Sequence, residues 1–152
     1  MISDWNHGNA HFLRGVVSEL IKRGHIVKVY EPKNNWSLQN LLNTAGKSVI
    51  EDFYKVFPTL KTNFYDPKTI DLKSLLRDQD LVLVHEWNDH ELVKNIGMHK
   101  AAGGDYLLLF HDTHHRSVTD EAGIKGYDLS AYDGVLAFGG LIRDKYLTEG
   151  WI

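Results

Sequence analysis

No cysteine occurs in the 152 residues of the chain. Disulfide staples, thiolate zinc centres and a cysteine nucleophile are thereby excluded, and a reducing compartment is suited. An excess of charge of one sign is also missing: 17 Lys and Arg stand against 20 Asp and Glu, for a formal net charge of -3. With no global field and no local basic patch to gather phosphates, neither nucleic acid nor an anionic membrane is an expected partner. No apolar run approaches the roughly 20 residues of a membrane helix, and the N-terminus lacks the basic and apolar regions of a signal peptide. The expected location is cytoplasmic. Nucleotide-binding glycine patterns are absent too. Gly8 is followed next by Gly15, too late in a helix to cradle a pyrophosphate as G-x-G-x-x-G does, and G-x-x-x-x-G-K-[ST] does not occur. Glu31 at a strand end is then weak support for NAD. There is no internal repeat, linker or low-complexity segment.

What is present is the material of one globular domain spanning 1–152, with 43% hydrophobic and 24% charged residues. Phe12, Leu13, Val16, Val17, Leu20 and Ile21 fall on one helical face, with Lys22 and Arg23 in the last turn and Gly24 as the stop. "HIVKVYEP" reads as a short strand over 26–30 closed by Pro32. Two weaker helical patterns over 37–56 are broken at Gly46, and "KTNFYDP" reads as a brief strand ended by Pro67. A polar helix over 71–76 precedes "LVLVH" at 81–85, apolar throughout as a strand covered on both faces would be. In "NDHEL", Asn88 is placed to cap a helix and Glu91 to bond back to it; Leu92, Val93 and Ile96 then point inward, and Gly103 and Gly104 end the helix. "YLLLFH" and "GVLAF" are further buried strands, and 141–149 is a last helix.

Strands and helices alternate at intervals of roughly 25 to 30 residues, the rhythm of a parallel Rossmann-like α/β sheet with helices on both faces. Ligands of such sheets collect at the carboxyl ends of the strands. His85, Glu86 and Trp87 end one strand, 111–116 end the next, and 138–140 end a third, with 7–11 expected on the same rim. The stretch "YLLLFHDTHHRSVTD" places three histidines and an aspartate directly after an apolar run. One reading is purely structural: His111 closes the strand, Asp112 turns the chain, His114 and His115 lie in solvent. The other uses the imidazoles, which titrate near neutral pH as a base or an anion site requires. Likewise Trp87 is either packing or a stacking surface, and Glu86 either a solvated turn or a ligand group. "DWNHGNAH" suits a tight turn into a helix whose first amides are open to an anion or to sugar hydroxyls.

The segments "SDWNHGNAHFLRGVVSELIKRGHIVKVYEP", "LVLVHEWNDHELVKNIGMHKA", "LLLFHDTHHRSVTD" and "YDGVLAFGGLIRDKYLTEGW", taken in order, resemble the N-terminal Rossmann-like domain of bacterial GT-B type glycosyltransferases, in the CgeB-like, glycosyltransferase family 4-like group. The resemblance covers nearly the whole chain apart from 35–80. It implies transfer of a sugar from a nucleotide-sugar donor to the hydroxyl of a glycan or other acceptor. This chain would supply the acceptor side of the cleft, with no cofactor or metal, beside a C-terminal donor-binding domain. The full enzyme would touch a membrane at most peripherally. On this resemblance His111 is the candidate general base or partner of the acceptor hydroxyl, and Asp112 orients it or acts in its place. His114, His115 and Arg116 offer positive or donor character to phosphate or acceptor oxygens. His7, Gly8, Asn9 and His11 form a loop under donor and acceptor, while Glu86 and Trp87 hydrogen-bond and stack on a sugar. In a retaining transfer no base is needed, and His111 becomes a binding residue.

The alternating fold also wants a central strand before "SDWNHG", where only Met1 and Ile2 stand. The expectation is therefore a fragment of a longer two-domain chain with its first strand largely missing. Part of the apolar stripe of the first helix would then be exposed, and the fragment alone inactive. Two other classes compete: a metal-dependent hydrolase or metal-binding module built on the rim histidines, and an interaction domain without chemistry.

Overall fold

The computed structural model describes residues 8–113 and 116–151. The chain divides into two compact units, Met1–Ile70 and Asp71–Ile152. In the first, α1 (Gly8–Lys22) leads to β1 (Val29–Pro32), and α2 (Trp36–Ala45) and α3 (Ser48–Val56) lead to β2 (Thr62–Tyr65). β1 and β2 pair in parallel, with Val29 opposite Thr62 and Pro32 opposite Tyr65. Asn35 begins α2 by accepting the Leu38 N–H at 2.7 Å on its side chain. Gly46, at a φ of 76°, ends it in the left-handed region that a residue with Cβ avoids. The core of this unit is small: Leu38, Phe53 and Leu60 are buried, with Val17 and Ile21 of α1 packed against them.

Two sequence expectations shift here. The first strand starts at Val29 rather than at 26, and Ile26 is 92% exposed, because the chain meets β2 only from Val29 onward. In α1 the six apolar positions are half-buried or exposed, and the deepest residues are Ala10 and Arg14. The Arg14 guanidinium lies over the rings of Phe53 and Phe57, at 5.3 and 5.6 Å, which is how a cation is accommodated among aromatic side chains. The strand expected ahead of "SDWNHG" lies outside the described residues.

The second unit runs α4 (Leu72–Leu76), β3 (Leu81–His85), α5 (His90–Ala101), β4 (Leu107–Asp112), α6 (Arg116–Thr119), α7 (Glu121–Lys125), β5 (Gly134–Ala137) and α8 (Gly140–Glu149). Its three strands form a parallel sheet in the order β3-β4-β5. Leu81 stands opposite Leu107, His85 opposite His111, and Leu109 opposite Gly134. Side chains alternate across the sheet as the pleat requires. Val82 and Val84, Leu108 and Phe110, Val135 and Ala137 join one core with Val93 and Ile96 of α5, Ile142 and Tyr146 of α8, and Tyr127 and Tyr132. The opposite face is less covered, with Leu81, Leu107 and Leu136 each close to half-exposed at 47, 45 and 46%. The all-apolar strand β3 is thus covered more on one face than on the other, with Val84 buried and Leu81 close to half-exposed. Among the described residues, no helix is long and apolar enough to cross a membrane.

Candidate functional site

The register of β3 and β4 builds the site. His85 pairs with His111 on the less covered face. One step further, where the Glu86 N–H donates to the His111 carbonyl at 3.0 Å, Glu86 falls beside Asp112 on the core face. Neighbouring strands lie about 4.8 Å apart, so these four titratable side chains form two close pairs, one on each side of the sheet.

The imidazoles of His85 and His111 meet edge to face, with centroids 5.1 Å apart. His85 Nδ1 accepts the Trp87 N–H at 3.2 Å, which leaves the proton of the neutral ring on Nε2, 3.4 Å from Thr113 Oγ1. Burial, reinforced by the neighbouring His111, holds the His85 pKa down at about 3. Burial also lowers that of His111, which is 3% exposed. Both rings are therefore neutral bases at neutral pH.

Glu86 and Asp112 are wholly buried. Oε1 of Glu86 accepts the Thr113 N–H at 2.9 Å and its hydroxyl at 3.4 Å, while Oε2 has no partner among the described residues. Asp112 Oδ2 accepts the Tyr146 hydroxyl at 3.0 Å. Burial, then the charge of Asp112, raise the Glu86 pKa to about 7, against the opposing pull of Thr113 and Arg116. Two carboxylates sharing one dry site cannot both ionise cheaply, so one of them keeps its proton near neutrality.

Around this pair the main chain is tightly held. The Tyr127 hydroxyl donates to the carbonyls of Glu86 and, at 3.0 Å, of Asn88. Arg116 donates to the Glu86 carbonyl at 3.3 Å and to Asp120 at 2.9 Å, and its guanidinium lies 5.2 Å from the Trp87 ring centre. The indole is 58% exposed. It forms an outward-facing aromatic surface beside a cation. Asn88 does not cap α5. Its side-chain amide donates back to the His85 carbonyl at 2.8 Å, and Asp89 occupies the N-cap position.

Of the residues singled out in the sequence, Glu86, Trp87, His111, Asp112 and Arg116 come together here. Phe138, at the end of β5, donates its N–H to the Asp112 carbonyl at 2.9 Å. Gly8, Asn9 and His11 form the first turn of α1 in the other unit. His7, His114 and His115 lie outside the described residues. Sequence reasoning placed His85 on the rim as a possible metal ligand beside His111, Asp112, His114 and His115, and assigned no roles to Thr113, Tyr127 or Tyr146. Only His85 carried a local signal, as the first polar residue after "LVLV". Among the described residues, no three His, Asp or Glu side chains are placed to hold a metal ion.

The chain is thus mixed α/β, built of two small parallel sheets and helices, an arrangement compatible with a Rossmann-like class. No family model, curated protein or solved structure matches it.

Proposed function

We propose that this chain is the acceptor-side lobe of a GT-B type glycosyltransferase, taking part in transfer of a sugar from a nucleotide-sugar donor to an acceptor hydroxyl. The observation that carries this reading is the meeting, at the carboxyl ends of β3 and β4, of neutral imidazoles with an exposed indole flanked by a guanidinium. In parallel α/β sheets that rim is where ligands bind. Indole faces stack on the apolar faces of sugar rings, and guanidinium groups take phosphate or hydroxyl oxygens. In an inverting transfer, His111 accepts the proton of the acceptor hydroxyl as its oxygen bonds to the anomeric carbon. The bond to the nucleoside diphosphate breaks, and the diphosphate leaves with the electron pair. Asp112, held by Tyr146, supports the strand end from the other face. In a retaining transfer, His111 binds the acceptor without removing its proton.

Saturation-transfer NMR of the chain against mono- and disaccharides and nucleoside-diphosphate sugars tests this reading. Saccharide binding is expected, and Trp87→Ala should weaken it by about tenfold, the ~1.4 kcal/mol of a stacked ring. Absence of binding to every saccharide and nucleotide sugar would sink the proposal. A melting temperature that falls on chelation would point to a metal-dependent class instead.

A further inference from the structure

Glu86 has a role that the sugar-transfer reading does not use. We infer that Glu86 is a proton-loaded positioning residue: as a neutral acid it fastens the end of β4 to the end of β3, and loss of its proton loosens that joint. The inference concerns the protein's own strand ends and does not depend on what the rim binds.

Three observations carry it. First, the Glu86 side chain is wholly buried and bonds Thr113 through both its N–H and its hydroxyl, so a β3-end carboxyl holds the residue that follows β4. Secondly, its register neighbour is a second buried carboxyl, Asp112, already bonded to Tyr146. Thirdly, among the described residues no cationic side chain bonds the Glu86 carboxyl, and the pull of nearby Arg116 does not outweigh burial and the charge of Asp112. The Arg116 guanidinium is spent on the Glu86 main-chain carbonyl and on Asp120. On the opposite face His85 and His111 are held neutral. Tyr127 gives its hydroxyl to carbonyl oxygens. A buried carboxylate without a counter-charge is costly enough that the group keeps its proton or moves toward water. On ionisation the proton passes to solvent, and a second negative charge stays beside Asp112. The side chain can then be rehydrated only if the strand ends part.

The pH window follows from the two states. The Glu86 pKa is about 7 when folded against an ordinary 4.5. Its contribution to stability is therefore complete below 4.5, falls as the pH rises, and is gone above about 7. His85 pulls the opposite way. With its pKa lowered from 6.5 to about 3, its contribution is present above 6.5 and lost as the pH falls. A raw stability curve mixes the two, and the difference between the chain and its Glu86→Gln variant isolates the carboxyl.

Glutamine keeps the neutral shape, and its carbonyl can accept from Thr113, so the variant imitates the protonated acid at every pH. Melting of the whole chain and of E86Q is to be compared at about pH 5 and about pH 8. The two should melt together at the acid value, and E86Q should melt higher by at least about 3 °C at the alkaline one. A variant that melts lower by the same margin at both values would overturn the inference, because Glu86 would then be needed as an anion. Should E86Q fail to fold, 13C-glutamate NMR of the unmodified chain decides. A Glu86 carboxyl resonance titrating near 7, with the Thr113 amide shift following at the same midpoint, supports the inference. Titration in the ordinary carboxylate range overturns it. Neither measurement involves a saccharide, so failure here is separate from failure of the sugar-transfer reading.

Discussion

Two buried tyrosine hydroxyls show how much the acceptor matters. Tyr132 donates to the neutral Val93 carbonyl at 2.9 Å, and Tyr146 donates to the Asp112 carboxyl at 3.0 Å. A neutral bond contributes about 0.5–1.5 kcal/mol net, and one to a charged group about 1.5–3 kcal/mol. Tyr146→Phe should therefore cost more than Tyr132→Phe in urea unfolding, by about 1 kcal/mol or more. Equal costs would mean that Asp112 is not the ionised member of its pair. The site was legible in the sequence where chemistry is local. Glu86, Trp87, His111 and Asp112 stand out because each follows an apolar run at a strand end. Tyr127 and Tyr146 do not, since the first reads as loop and the second as one more apolar position on a helix. Their partners lie 41 and 34 residues away, and only docking against the sheet reveals the pairing. Thr113 carries no local signal beside its histidine neighbours, although its main-chain N–H is what holds Glu86.

At the scale of the element, β4 has two faces with different energetics. Leu108 is fully buried in the core, and Leu107 beside it is 45% exposed on the other face. Leu108→Ala should cost about 2–5 kcal/mol through lost transfer energy and the cavity left behind. Leu107→Ala should cost less than about 1.5 kcal/mol, since much of its surface is already in water. Urea midpoints with unchanged slopes would read both values, and similar costs would contradict the face assignment. Periodicity made most elements readable. α1, the break at Gly46, α4, β3, β4 and α8 lie within a residue or two of where spacing alone placed them. Three details were not readable. The apolar pair Ile26 and Val27 drew β1 toward the N-terminus, though only pairing with β2 defines the strand. Asn88 and Asp89 are both good caps, and the His85 carbonyl competes successfully for Asn88. The short helices α6 and α7 contain too few turns to show a period, and α7 is set by the Asp120 side chain accepting the Gly123 N–H at 3.2 Å.

For the molecule as a whole, the two units differ in the cores they hold. The first rests on Leu38, Phe53 and Leu60, whereas the second gathers buried residues from β3, β4, α5 and α8, with partly buried Val135 and Ala137 of β5 packed against them. Amides buried under more apolar surface open only in larger unfolding events. Native-state hydrogen exchange should therefore give β4 amides the highest opening energy in the chain, with those of β1 and β2 exchanging through a lower-energy opening. A single ceiling shared by all three strands would show that the units unfold as one. The parallel pairing has a further consequence for the chain during its synthesis. Val29 waits for Thr62, Leu81 for Leu107, and Leu109 for Gly134, so no described strand finds its partner across a local hairpin. At roughly 5–20 residues per second on the ribosome, "LVLVH" stands without β4 for a time on the order of seconds. During that interval its apolar side chains stand with no partner strand to pair them, an exposure that the finished sheet ends.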